Sequence, residues 1–490
     1  MSKISFSIDK GFYESETPPM VFQSCTNLYP KHPETLDAST KGALYRTPGL
    51  SQLNTVDGVG RGILKDTFNN VLYIVAGNIL YKKTDVNTIV TIGTIVGSGR
   101  VSMAWNGITL CIIVPGSKGY FYTNAGGLTE ITDATFVDFM TNSNGGVTSV
   151  CYKDSRFIYT TDDEFFVGST TTVNNGQDFD ALDYDDAEVK PDPIVKAESI
   201  KNELYIFGTE TIEVYQVTTG SGFPYVRIPG ATIEKGLLAR FSLVPFDNSF
   251  VFVGASSNEP PAIWRGEPGS ASKISNSAID AILDTYSDSE IASITAWTYS
   301  DGGSWFAGFN LPDRTLVYDA TASMIQQRSV WHERLTNNTK HRVEDVANMF
   351  GKNIVIDNID GKVGYMSRDI TTEYNQAVTR SFSTGYLHDN GYSFRISELE
   401  IRATVGVGNT SGSTDDDPLV TLYISTDQGN TYNSLGSRKI GRSGEYYKRM
   451  IWRRLGRIPS QVMFKVETDD TVPVDFYSMA ININGNARRQ

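Results

Sequence analysis

The sequence predicts an all-β protein, a β-propeller of six or seven blades followed by a C-terminal β-sandwich. Three observations carry this. A hairpin theme, in which a β-branched and aromatic run meets a Gly-, Asn- or Asp-rich turn and a second such run, recurs seven times. Successive copies start 39 to 55 residues apart, near the roughly 40–50-residue period of propeller blades. Beyond residue 371 the theme stops and longer alternating runs replace it.

Residues 1–60 carry turn signals (Thr17-Pro18-Pro19, Tyr29-Pro30, Thr47-Pro48-Gly49) and little periodicity. They are expected to form an extended arm, pinned to another element and bridging the two domains. The propeller is assigned to residues 61–370. Its hairpins are 71–81 (VLYIVAGNILY), 110–122 (LCIIVPGSKGYFY), 155–168, 203–215 (ELYIFGTETIEVY), 249–264, 304–318 and 353–365 (NIVIDNIDGKVGY). Gly and Asn supply the positive φ angles that tight hairpins need. One hairpin cannot cover both its faces, and radial stacking of four-stranded blades solves that while leaving short edges. A pair of stacked sandwiches satisfies the same strand spacing and is the alternative.

Helix is scarce. A short insertion is expected near 276–286, where Ile279, Ile282, Leu283 and Tyr286 share a face and Ser277 with Asp280 can form a capping box. Residues 381–490 form the sandwich, a docking or platform domain: two alternating runs over 381–408, a polar loop at 409–417, then strands at 419–425, 446–452, 462–466 and 476–483.

Composition sets the outer bounds. The 490 residues are 40% hydrophobic, 20% charged and 11% aromatic, which is a folded chain and not a disordered one. Three cysteines, Cys25, Cys111 and Cys151, are too few and too dispersed for a disulfide framework or a zinc site. The start lacks the apolar run of a signal peptide, and no stretch approaches the roughly 18 apolar residues of a membrane span. A soluble protein made in a cytoplasm, without membrane insertion, is the expectation.

Net charge is −13, which excludes a basic nucleic-acid clamp. Its distribution is uneven. Residues 133–192 hold 13 acids against 3 bases, whereas 434–457 hold 8 bases against Glu445 alone.

Few patterns carry chemistry. His32, His332, His341 and His388 are scattered, and HExxH, GxSxG and Cys/His clusters are absent. Residues 93–100 (GTIVGSGR) lack the Lys-Ser/Thr of a phosphate loop, and 357–361 (DNIDG) and 415–417 (DDD) lack the ligand spacing of a calcium loop. All three read as turns. The Asn337-Asn338-Thr339 sequon has no role without secretion. Residues 425–432 (STDQGNTY) resemble a sialidase Asp-box and Arg227-Ile228-Pro229 the element that places a carboxylate-binding arginine there. The Asp-box occurs once, outside the propeller, so a hairpin turn accounts for it. The acids of 178–192 offer a carboxylate pair for glycoside cleavage, but acid runs are ordinarily solvated or partner-facing. No catalytic, cofactor-binding or metal residue is assigned, and no cofactor is expected.

A set of phrases in fixed order identifies a resemblance. They are Gly11-Phe12-Tyr13, Cys25-Thr26-Asn27-Leu28-Tyr29-Pro30, Thr47-Pro48-Gly49-Leu50, Arg61-Gly62, and Gly99-Arg100-Val101-Ser102-Met103 with Asn106-Gly107. They continue through Asp180-Ala181-Leu182-Asp183 with Ala187-Glu188, Glu210-Thr211-Ile212-Glu213-Val214, Phe223-Pro224, Trp331-His332-Glu333-Arg334 and Trp452-Arg453-Arg454-Leu455-Gly456-Arg457. The chain resembles the tail nozzle protein of short-tailed phages (podoviruses), also called the packaged-DNA stabilisation or tail accessory protein.

The resemblance implies a non-enzymatic virion protein. It would form a homo-hexameric ring below the portal and its adaptor (the head-to-tail connector), and touch tailspikes or fibres and a needle or plug. Such a ring would retain packaged DNA and conduct it during ejection from a virion tail assembled in the host bacterium. The rival is a tail-associated glycan-binding or sialidase-like propeller.

Two surfaces follow from charge. A wall of carboxylates lets double-stranded DNA slide with only transient, non-sticking contact, because it repels phosphate. Asp178, Asp180, Asp183, Asp185, Asp186 and Glu188 are therefore expected to line the channel or its mouth. The basic residues Arg438, Lys439, Arg442, Lys448, Arg449, Arg453, Arg454 and Arg457, interleaved with Tyr446, Tyr447 and Trp452, are expected to dock an acidic ring partner.

Overall fold

Each of the seven hairpins is the middle, antiparallel strand pair of one blade in the computed structural model. The structure describes residues 2–14, 22–33, 42–170, 176–187, 190–218, 223–389, 391–410, 412–413 and 415–484. Thr109–Val114 (TLCIIV) shows why these runs become strands: every position is buried, so both faces of the sheet are covered. The covering comes from the neighbouring blades.

Seven blades form among the described residues. Blade 1 begins at Gly60–Asp66, blade 2 at Ser102–Trp105, blade 3 at Ser149–Lys153, blade 4 at Ile194–Ile200, blade 6 at Thr295–Asp301 and blade 7 at Val343–Met349. In blade 5 the first position is split between Gly236–Leu237 and Val244–Phe246, both paired to Ser249–Ala255. First strands pack around the central axis and last strands form the circumference. The cores lie between blades. Tyr73, Val75, Leu110 and Ile112 fill the gap between blades 1 and 2, and Leu72, Ile74, Ile354 and Ile356 fill that between 7 and 1.

The ring is closed by the N-terminal region. Gly49–Thr55 is the outer strand of blade 7, antiparallel to Lys362–Ser367. Residues 1–60 are thus not only an extended arm, because blade 7 has just three strands of its own and its edge needs a fourth. Gly361 permits the approach: a Cβ there would stand 1.9 Å from the Val56 carbonyl oxygen.

The remaining arm strands enter the second domain. One sandwich sheet runs Met450–Ile458, Phe394–Ala403, Phe476–Asn484, Ala43–Arg46, Leu28–Lys31, with Ser2–Phe6 on the far side of Phe476–Asn484. The other runs Cys25–Thr26, Arg380–Ser383, Gln461–Thr468, Leu419–Ser425, Asn433–Lys439. Phe382, Leu399, Trp452, Phe464 and Met479 pack between them. The strand expected at 446–452 begins only at Met450, because Tyr446 and Tyr447 lie in an exposed loop.

The insertion helix is Ser277–Asp284, packed by Ile279 and Leu283 between blades 5 and 6. Its cap differs from expectation. The Asn276 side chain accepts from the Ile279 N–H, and Asp280 instead accepts from the Ser275 hydroxyl at 2.5 Å. A capping box does form at the start of the next helix, Asp288–Ala292, between Ser287 and Glu290.

Candidate functional site

The two domains are welded by one short strand. Thr26 pairs in parallel with Glu333 of blade 6 on one side and antiparallel with Ser381 of the sandwich on the other. A single sheet therefore runs from the propeller into the sandwich. The Thr26 hydroxyl donates to the Glu333 carboxylate at 2.9 Å. Asn27, 2% exposed and left-handed at φ +54°, donates from Nδ2 to the carbonyls of Leu335 (3.0 Å) and Thr379 (2.8 Å). Its Oδ1 accepts from the Leu335 N–H at 3.1 Å.

Around this strand the polar contacts are dense. Buried Arg334 donates to the Pro48 carbonyl at 2.8 Å, and Arg46 pairs with Asp475 at 2.9 Å. Buried Arg380 donates to the Asp470 carbonyl at 3.1 Å. Three phrases far apart in sequence, at 25–30, 47–50 and 331–334, meet here. The sequence marks these phrases without giving their role, and an Asn, which tolerates left-handed backbone, in a polar-aromatic run is the local signal it offers.

A second convergence lies on the propeller axis. Arg61 Nε donates to the Gly99 carbonyl at 2.6 Å, and Arg100 reaches Glu344 (3.3 Å) and Asp345 (2.8 Å) of blade 7. Arg100 and Asp345, with Lys196, Glu198 and Phe241, line a cavity of about 450 Å³. Its charges are mutually compensated, which suits a structural plug better than a ligand site.

The basic residues gather where the two sandwich sheets meet. Asn433–Lys439 and Met450–Ile458 are edge strands, stapled by Trp452 Nε1 to the Gly436 carbonyl (2.8 Å) and Arg438 Nε to the Ile451 carbonyl (2.9 Å). Arg438 also lies over the Trp452 ring, 5.3 Å from its centroid. Arg454, at φ +60°, bulges out of its strand. Acids on neighbouring segments meet several cations: Arg449–Glu400 at 2.9 Å, Arg453–Glu398 at 3.0 Å, Lys448–Glu445 at 3.1 Å, and Lys439 with Asp417 at 2.5 Å. Arg442 stands 3.9 Å from Asp417, and Arg457 donates to the Ser393 hydroxyl.

The acidic residues occupy Phe179–Asp186, the outermost strand of blade 3. They stand on the circumference and not in the central cavity. Asp183 pairs with Arg156, Asp180 accepts from the Leu182 N–H, and Asp185 from the Asp186 N–H. Asp178 precedes the strand, its carbonyl accepting from Thr170. Glu188 lies outside the described residues. Leu182 (80% exposed) and Tyr184 (48%) project from the same strand.

The other patterns are turns with internal partners. Asp427 accepts from Thr431 and from the Ser425 hydroxyl, and these hydrogen bonds, the Thr431 hydroxyl first, lower its carboxyl to about 2. Gly429 takes φ +84° in that turn. Arg227 ends the outer strand of blade 4, 3.9 Å from Glu213. Asp357 and Asp360 are held by Arg342, and Asp415 accepts from the Thr471 backbone and hydroxyl. His341 lies 3.1 Å from Glu373 in the joint, and burial, with Arg334, lowers it to about 4. The three thiols are buried and unbridged.

Comparison with known proteins places this geometry. A family model described as Bacteriophage P22 Gp10, beta-propeller, matches residues 4–371, and one described as Bacteriophage P22 Gp10, beta-sandwich, matches 379–484. The chain is 26% identical over 454 residues to the tail hub protein gp10 of Salmonella phage P22, covering 91% of this chain and 92% of that one. Solved structures with some likeness include the WD40 propeller domain of Doa1 (13% identity, 65% of this chain and 97% of that one, TM-score 0.37). The Neurospora crassa Pan2 WD40 domain is another (11% identity, 65% and 95%, TM-score 0.40).

Proposed function

The chain belongs to the Bacteriophage P22 Gp10 family through both its propeller and its sandwich, and from that premise we propose that it is the hub, or nozzle, of a short phage tail. It is a structural protein of the virion tail. Six copies ring the axis below the portal and its adaptor, continue the channel, hold the packaged genome and guide it out. Tailspikes or fibres and a needle or plug attach to this ring.

The observation that carries the reading is the family match across nearly the whole chain. Two features support it. A hub must transmit load between its domains without hinging, and a sheet continuous from blade 6 into the sandwich, locked by Asn27, does that. A conduit must not grip DNA, and a chain of net charge −13 has no surplus of cations to neutralise phosphates.

Catalysis has no part in this proposal. Arg227 stands on a blade edge and the single Asp-box is a sandwich turn, so the two sialidase-like patterns do not meet at the propeller axis. Electron microscopy of the protein mixed with portal and adaptor tests the reading. A six-fold density extending the tail axis is expected; no axial density, or a sialoside hydrolysis lost in Arg227→Ala, would overturn it.

A further inference from the structure

We propose that the basic sandwich edge of one copy docks head to tail on the outer strand of blade 3 of the next copy. The inference rests on the ring reading above and names the surfaces that would build the ring.

Topology sets the two surfaces apart, blade 3 across the ring from the joint and the basic strands last in the two sandwich sheets. The sandwich is joined to blade 6 through Thr26 and to blade 7 through the chain entering Gly49–Thr55. In a ring of seven, blade 3 is three blades from either, so it lies across the propeller from the joint. Asn433–Lys439 is the last strand of the sheet that starts in blade 6, with four strands between. A protein with two separate, complementary patches associates heterologously, and such contacts close into a ring when the rotation permits.

The surfaces match in chemistry. Both are edge strands: among the described residues Phe179–Asp186 pairs only with Phe165–Ser169, and Met450–Ile458 only with Phe394–Ala403. Edges invite further pairing unless charge or a bulge blocks it, and each carries a bulge and a row of charge of one sign. The blade 3 edge offers Asp180, Asp185 and Asp186; the sandwich edge offers Arg449, Arg453, Arg454 and Arg457. On the sandwich side eight bases face five acids (Glu398, Glu400, Asp416, Asp417 and Glu445). The Arg449 and Arg453 pairs are exposed at the arginine end, so little is lost when those cations also meet a second set of carboxylates.

Apolar groups decide between this contact and a channel wall. Leu182 and Tyr184 stand among the acids, and Tyr446 (73% exposed) and Tyr447 (81%) beside the bases. A wall that only repels phosphate needs no such side chains, whereas an interface needs an apolar centre within a charged rim. The acid strip is therefore assigned to the contact between copies.

Charge reversal tests this on the full chain. Asp180→Lys/Asp186→Lys makes both surfaces basic, and Arg453→Glu/Arg454→Glu makes both acidic. Each variant alone should need at least about tenfold higher concentration than wild type to form rings, since like charges then oppose. An equimolar mixture should assemble like wild type, as rings of alternating copies, read by mass photometry with thermal melts confirming folding. Single variants that ring normally would overturn the assignment and leave the ring reading standing. So would rings that form but seat poorly on the adaptor, which would make the basic edge an adaptor contact. Normal rings with retarded DNA ejection in the Asp180→Lys/Asp186→Lys variant would return the acids to the channel. A wild-type chain that forms no ring even with portal and adaptor would remove both readings.

Discussion

Replacing Asn27 by alanine should loosen the sandwich from the propeller. The side chain makes three hydrogen bonds, to the Leu335 carbonyl and N–H and to the Thr379 carbonyl, at a position 2% exposed. Each bond is worth about 1 kcal/mol net, and more where its loss strands a buried backbone group. The backbone adds a second cost. Asparagine tolerates φ +54°, while alanine pays roughly 1 kcal/mol to stay there.

The expected loss is therefore about 3–5 kcal/mol for Asn27→Ala. It should be about 1 kcal/mol smaller for Asn27→Gly, which loses the same bonds without the backbone penalty. Asn27→Asp should cost at least as much as alanine, because it turns a carboxylate oxygen toward two carbonyls. Calorimetry measures the total, and hydrogen exchange at Leu335 and in Arg380–Ser383 reports whether the joint opens first. Equal losses for alanine and glycine would refute the backbone argument. A loss below about 1 kcal/mol for alanine would refute the joint itself.

Gly361→Ala should open the propeller ring, since its Cβ meets the Val56 carbonyl oxygen at 1.9 Å and the Val56 N–H to Gly361 carbonyl bond of 2.8 Å is lost. New proteolytic cleavage near residues 55–60 and a melting temperature lowered by several degrees are expected; an unchanged melt contradicts the closure. Burial, and then the Glu333 carboxylate, raise Glu14 from 4.5 to about 7. Between those values the folded chain holds a proton that the unfolded chain has released, so stability falls as pH rises through that window. Glu14→Gln should remove most of that slope, stabilising by at most about 3 kcal/mol above pH 7 and not at all below pH 4.5; parallel pH–stability curves would refute it. Burial raises the thiols of Cys25, Cys111 (to about 12) and Cys151. A thiol reagent at pH 8 should modify no cysteine in the native protein and all three after denaturation.

The blades were legible because each repeats the same local chemistry. Residues 110–122 and 203–215 announce a hairpin through β-branched runs and a turn, with no long-range information needed. The arm was not legible in this way. Gly49–Thr55 alternates weakly and owes its strand to the empty edge of blade 7, three hundred residues away in sequence. Thr26 is still harder to read, since a two-residue strand acquires its meaning only from the two partners between which it lies. Of the charged sites, sign and density could be read from residues 178–186 and 438–457, but not which surface each one occupies. The exposure of Leu182 and Tyr184 was invisible because an apolar residue in a strand is ordinarily a core residue.

By itself the sequence determined the all-β class, the seven repeated hairpins, the change of domain after residue 371 and the opposed charge of two segments. Periodicity, turn residues and charge are local properties, so a single chain displays them. Only the tertiary structure decided how the ring closes, that one sheet joins propeller to sandwich, and that the acidic strand is the outer edge of blade 3 while the basic strands are edges of the sandwich. Those are properties of contacts between residues hundreds of positions apart, and they are fixed when buried backbone groups and sheet edges find partners that no local pattern names.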